Sequence, residues 1–102
     1  MLSLMLIGPP ELVTEPAVIH RFAAPGGTIG RAEGNDLTLP DTQRSVSRVH
    51  VRVQFRRNGP NVICVGANPI QVNGTPIEQG EESPIGIGDR LQVGNFLLKA
   101  IA

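Results

Sequence analysis

Val49-His50-Val51-Arg52-Val53-Gln54-Phe55 alternates apolar and polar residues without a break. Successive side chains of a β-strand point to opposite faces, so this stretch predicts a half-buried strand with its valines and Phe55 inward. Arg56-Arg57-Asn58-Gly59 follows. Asn-Gly suits the centre of a type I′ turn, where both residues need positive φ, and predicts a hairpin there. Val62-Ile63-Cys64-Val65 is continuously apolar and reads as a fully buried return strand.

The same grammar extends in both directions. Asn73-Gly74 joins Ile70-Gln71-Val72 to Thr75-Pro76-Ile77, and Gly94-Asn95 joins Arg90-Leu91-Gln92-Val93 to Phe96-Leu97-Leu98-Lys99. Leu2 to Leu6, Ala17 to Phe22, Thr28-Ile29 and Leu37 to Leu39 are further strand candidates. Twelve Gly and nine Pro leave little room for long helices. Many short strands with frequent turns indicate an all-β sandwich or barrel. No repeat, low-complexity tract or linker interrupts the chain. Residues 1–102 are expected to form one domain, with a boundary just after the last strand.

Composition removes several function classes. The formal net charge is zero, which gives no bulk attraction to nucleic acid or anionic membrane. Trp and Tyr are absent and Phe occurs three times, so the aromatic platforms of single-strand nucleic-acid binders are missing. No apolar stretch approaches the roughly 20 residues of a membrane-spanning helix. Met1 to Ile7 lacks a basic leader and runs into Pro9-Pro10, so it reads as a first strand and not a signal peptide. The single cysteine, Cys64, cannot form an internal disulfide and reads as a small core residue, in keeping with a reducing, cytoplasmic setting.

Three polar loops carry the residues with chemical potential: Gly30 to Asp36, Asp41 to Arg48, and Gly66 to Pro69. Brought to one end of a sandwich, they offer Arg31, Arg44, Arg48, two Ser hydroxyls and the Asn68 amide. Guanidinium forks and hydroxyls suit a phosphate, and an amide suits a peptide backbone. Eight of the nine basic residues are Arg, the side chain that matches phosphate in bidentate fashion. Ser47 and His50 do not read as a nucleophile and base: three positions apart on a strand, their side chains tend to opposite faces, and no G-x-S-x-G elbow is present. His20, His50 and Cys64 match no zinc spacing. Neither catalysis nor a metal or other cofactor is expected.

These loops also carry a family pattern. Thr28-Ile29-Gly30-Arg31, Asn35-Asp36-Leu37-Thr38-Leu39 and Val46-Ser47-Arg48-Val49-His50 resemble the forkhead-associated (FHA) domain signature. Ala67-Asn68-Pro69-Ile70-Gln71-Val72-Asn73-Gly74-Thr75-Pro76-Ile77 resembles that family's Asn-Gly-Thr-Phe-Val-Asn-Gly segment. Ile85 to Gly94 is similar to its closing strand. The pieces occur in order, which makes the set more specific than any one of them.

The resemblance implies a two-sheet β-sandwich of about eleven short strands whose end loops bind phosphothreonine peptides. Arg31 and Ser47 would contact the phosphate, Arg48 would add charge, and Asn68 would bond the peptide backbone. Gly30 and His50 would shape and brace the loops. The implied partner is a phosphothreonine-containing protein in a Ser/Thr kinase pathway. The residue usage looks bacterial, and bacterial relatives occur in signalling and type VI secretion proteins. Two departures stand out: Ala67 replaces a usual hydroxyl residue, and Pro69-Ile70 replaces Gly-Thr. Pro69 removes an amide donor and biases Asn68 toward extended backbone. The alternative they leave is a phosphate-independent scaffold for protein assembly.

Overall fold

The computed structural model describes residues 1–102. The strands are β1 Leu2–Gly8, β2 Ile19–Phe22, β3 Gly26–Gly30, β4 Leu37–Thr38, β5 Val51–Arg56 and β6 Gly59–Cys64. They continue as β7 Ile70–Val72, β8 Thr75–Ile77, β9 Glu82–Pro84, β10 Arg90–Val93 and β11 Phe96–Ala100. A single turn of 3-10 helix, Pro10–Leu12, follows β1. One sheet runs β2-β1-β11-β10-β7-β8 and the other β4-β3-β5-β6-β9. No helix is long and apolar enough to cross a membrane. The all-β, two-sheet sandwich of eleven strands is the one expected.

Alternation holds from Val51 onward. Val51 and Val53 are buried, Arg52 is exposed, and Phe55 is half-buried against the core. Their inward faces meet Leu4, Leu6, Ile70, Leu91, Val93 and Leu98 from the opposite sheet in one cluster of 20 buried residues. Burying each such side chain fully contributes about 1.5–3 kcal/mol.

The alternation inverts at its start. Val49 is 40% exposed while His50 is fully buried. The outer face is not solvent at this level, because Gly66 lies over it: a Cβ there would sit 2.6 Å from the His50 ring. Val65 N and Gly66 N both donate to the His50 carbonyl, at 2.9 and 3.1 Å. Val62 to Val65 is also less buried than expected. Val62 and Cys64 face the core, whereas Ile63 is half-buried between Arg52 and Glu82 of the flanking strands.

Turn chemistry is met at two hairpins and displaced at a third. Asn73 and Gly74 both take positive φ, 52° and 84°, between the paired Val72 and Thr75, as a type I′ turn requires. Gly94 has φ 57° at the first central position of the β10–β11 turn. In the β5–β6 hairpin, Arg56 pairs with Gly59, so the turn centre is Arg57-Asn58. Only Gly59 takes positive φ, at 109°. The left-handed residue therefore follows the turn, where it restores the strand twist that an ordinary turn would splay.

Antiparallel pairing of β1 with β11 brings the chain ends together. Ser3 N donates to Ala102 O at 3.0 Å, and Ile101 N donates to Ser3 O at 2.9 Å. The far ends of these strands, where Gly8 pairs with Leu97, point toward the three polar loops. Ser45 and Val46 of the β4–β5 loop pack on the β10–β11 turn, with Ser45 Oγ 2.6 Å from where a Gly94 Cβ would lie.

Candidate functional site

Two of the loops are joined by their backbones. A Cβ on Gly30 would stand 2.1 Å from the Arg48 carbonyl oxygen, so only glycine allows β3 to approach the β4–β5 loop this closely. Arg31 N donates to Ser47 O at 3.1 Å, and Ala32 N to Arg48 O at 3.2 Å. The Asn35 side-chain amide spans the same junction, donating to Ala32 O at 2.7 Å and Arg48 O at 2.8 Å. Its Oδ1 is buried without a partner. The adjoining Asp36 accepts Thr28 N at 2.8 Å and closes the β3–β4 loop on β3.

The Arg31 guanidinium is half-buried, and its Nε donates to Val46 O at 3.1 Å. That bond fixes the plane of the fork while both terminal nitrogens make no hydrogen bond within the protein. Arg44 and Arg48 are exposed on the neighbouring loop. Arg44 holds φ 57°, an uncommon backbone conformation for a residue with a Cβ. None of the three is paired with a carboxylate; the protein's ion pair is Arg56–Glu82, at 2.8 Å on the outer sheet face.

The third loop is tied in through Ser47 and His50. Ala67 N donates to Ser47 Oγ at 3.1 Å, leaving the hydroxyl proton free to donate outward. Ser47 N donates to His50 Nδ1 at 3.0 Å. Nδ1 therefore carries the lone pair, the proton sits on Nε2, and Nε2 donates to Asn68 O at 2.7 Å. The expected separation of Ser47 and His50 onto opposite faces fails because β5 begins only at Val51 and the preceding residues bend back. They still form no nucleophile–base pair, since His50 meets the Ser47 backbone and not its hydroxyl.

Asn68 has its carbonyl occupied by His50 and by the Cys64 thiol, 3.3 Å away, while its exposed side chain has no partner in the protein. Burial pushes the Cys64 thiol above its ordinary pKa, so the sulfur stays protonated as that donor. Arg31, Ser47, Arg48 and Asn68 thus stand on three loops linked to one another, with Gly30 and His50 at the two joints.

Sequence reasoning missed the residue that shapes the middle loop. Asp41 accepts Gln43 N at 3.1 Å, Ser45 Oγ at 3.3 Å and Val46 N at 2.8 Å. Partial desolvation pushes its pKa up, but these hydrogen bonds together outweigh it and hold the carboxyl below its ordinary value. The bond from Asp41 to the residue two positions on is an Asx-turn, a pattern legible in Pro40-Asp41-Thr42-Gln43. Gly66 and Asn35 were also unread as joints.

The FHA domain family model matches residues 27–94. Comparison with curated protein sequences finds no match. Among solved structures, the FhaA FHA domain complexed with the intracellular domain of Rv3910 superposes with a TM-score of 0.79 at 21% identity, over 98% of this chain and 99% of that one. The FHA domain of the CT664 protein from Chlamydia trachomatis gives 0.79 at 18% identity, over 100% and 98%. The N-terminal FHA domain of S. cerevisiae Rad53p, in complex with a phosphothreonine peptide, gives 0.73 at 17% identity, over 96% and 90%. At these identities the likeness is one of fold; the family match spans two thirds of the chain and takes in all three loops, and the chain belongs to the FHA domain family.

Proposed function

We propose that residues 1–102 act as one phosphothreonine-peptide-binding module that couples a Ser/Thr kinase to assembly of a protein complex. The observation that carries the reading is the Arg31 guanidinium, oriented by Val46 O with its terminal nitrogens free, on the strand end joined to Ser47. Arg31 supplies the fork to two phosphate oxygens, and Ser47 Oγ donates to another. Arg48 adds charge from the rim. The Asn68 amide bonds the peptide backbone next to the phosphoresidue. Gly30 and His50 touch no ligand; they hold the three loops in register. The Rad53p domain, bound to a phosphothreonine peptide, supports this use of the fold.

Calorimetric titration with matched phosphothreonine and unphosphorylated peptides from a degenerate library tests the reading. Binding should require the phosphate. Arg31→Ala should weaken it by roughly 10- to 100-fold, the loss of charge-assisted hydrogen bonds worth about 1.5–3 kcal/mol. Affinity should also fall as the pH drops through about 6, where the phosphate regains its second proton. Equal binding of both peptides would select the phosphate-independent scaffold instead.

A further inference from the structure

A groove runs between β4 and the β1–β2 connection, from the open edge of the sandwich to the β4–β5 loop. Its inner end is a cavity of about 370 Å³, floored by Leu6, Leu37, Leu39 and Leu98 and walled by Leu12 and Val18. Its outer end, about 470 Å³, shares Leu12 and Pro40 with the inner and passes Glu11 to reach Asp41, Gln43 and Asn95. Val18 in its wall is 41% exposed, and Val13, which follows Leu12, is 45% exposed. Exposed apolar side chains rimmed by polar ones mark an interaction surface. One wall, from Leu6 to Val18, lies outside the residues 27–94 that carry the family pattern. The groove is therefore distinct from the site built by the three loops.

Two features identify the occupant. The groove is continuous with the loop that presents Ser47 and Arg48: Gln43 lines it and stands four residues before Ser47. The sign of charge also reverses along that path. Arg44 and Arg48 crown the loop, whereas the groove's charged lining residues are Glu11 and Asp41, with no Lys or Arg. We infer that the groove receives the flank of the same phosphorylated partner, seating an apolar side chain over Leu12 with a Lys or Arg beside Glu11. This rests on the phosphothreonine reading. Four residues of chain reach at most about 14 Å, which an extended peptide covers in about four residues. Leu12 lies further along the groove than Gln43, so the apolar contact is sought within about eight residues of the phosphothreonine on one side.

The test uses phosphopeptides with a fixed phosphothreonine, randomised at those offsets on either side, together with a five-residue phosphothreonine peptide and unphosphorylated counterparts. Wild type, Leu12→Asp and Glu11→Lys are compared, with thermal melts as folding controls. Wild type should select an aliphatic or Phe residue with a neighbouring Lys or Arg at one offset. The selected peptide should bind about tenfold tighter than the short one, a difference of about 1.4 kcal/mol. Leu12→Asp should abolish that gain and bind the short peptide like wild type. Glu11→Lys should abolish only the basic preference. No selection at any offset overturns the groove while leaving the phosphate reading intact, and so does a selection that survives both substitutions. A wild-type dimer in sedimentation that Leu12→Asp dissolves likewise overturns the inference, since a second copy then fills the groove. Groove-dependent binding indifferent to phosphate overturns the phosphothreonine reading and, with it, the phosphorylated occupant inferred here. Failure of folded wild type to bind any peptide overturns both.

Discussion

His50→Ala removes a fully buried ring that bonds two loops at once. Asn68 O keeps a partner in the Cys64 thiol, so the group left without one is Ser47 N. An unpaired buried donor costs about 1–3 kcal/mol, and Ser47 is only half-buried, so the lower half of that range applies. Deleting the ring also leaves a void under Gly66, with large-to-small core changes costing about 2–5 kcal/mol. Water entering the void relieves part of both penalties, which puts the total at about 3–4 kcal/mol. Domains of this size have about 5–15 kcal/mol in all. The midpoint of thermal unfolding should therefore fall by on the order of 20 °C. Urea titration followed by circular dichroism at 15 °C gives the free energy directly. Phosphopeptide affinity of the folded mutant should drop while its discrimination against unphosphorylated peptide persists. A loss below about 1 kcal/mol would refute the claim that this ring braces the loops. Normal stability with no phosphopeptide binding would instead make His50 a direct ligand.

Two further outcomes follow from the loops. Asp41 has a lowered pKa, so the stability it contributes is full above the ordinary carboxylate value of about 3.9 and is lost as pH falls through its folded value. Asp41→Asn should flatten the acid limb of a stability–pH curve below about pH 4, and an unchanged limb in urea titrations would rule Asp41 out as its source. Ala67 is exposed and its N–H already meets Ser47 Oγ, so Ala67→Thr places a second hydroxyl next to that of Ser47. Calorimetry should show tighter phosphothreonine binding by about 0.5–1.5 kcal/mol and no change for the unphosphorylated peptide; no gain in the folded protein would mean this loop does not approach the phosphate.

What the sequence made legible was whatever short-range physics decides. Ile70-Gln71-Val72-Asn73-Gly74-Thr75 declared its strands and its turn because both central residues need a left-handed backbone and have the right chemistry for it. Asn58-Gly59 misled by one position, since a lone glycine after an ordinary turn uses the same dipeptide. Strand β9, Glu82–Pro84, carries no periodic signal: it is a mostly exposed edge strand that exists because Asn61 to Ile63 are there to pair with it. His50 and Val49 exchanged places because a loop distant in sequence covers what would have been the solvent face. The candidate site residues were visible as an ordered pattern. The joints at Asn35, Asp41 and Gly66 were not, because each acts on backbone atoms whose positions only the folded chain defines.

The pairing of Ser3 with Ile101 and Ala102 sets how the domain answers force. Antiparallel ladder bonds lie perpendicular to their strands. A pull applied through the two chain ends acts along those bonds, not across them, and loads the terminal pair first. The β1–β11 ladder then opens one rung after another from Ser3 toward Gly8, as a zipper does, without the collective resistance of strands in shear. Tension carried through this module would peel its largest sheet apart at low force. The same load applied between the three polar loops and one end would meet both sheets along their length.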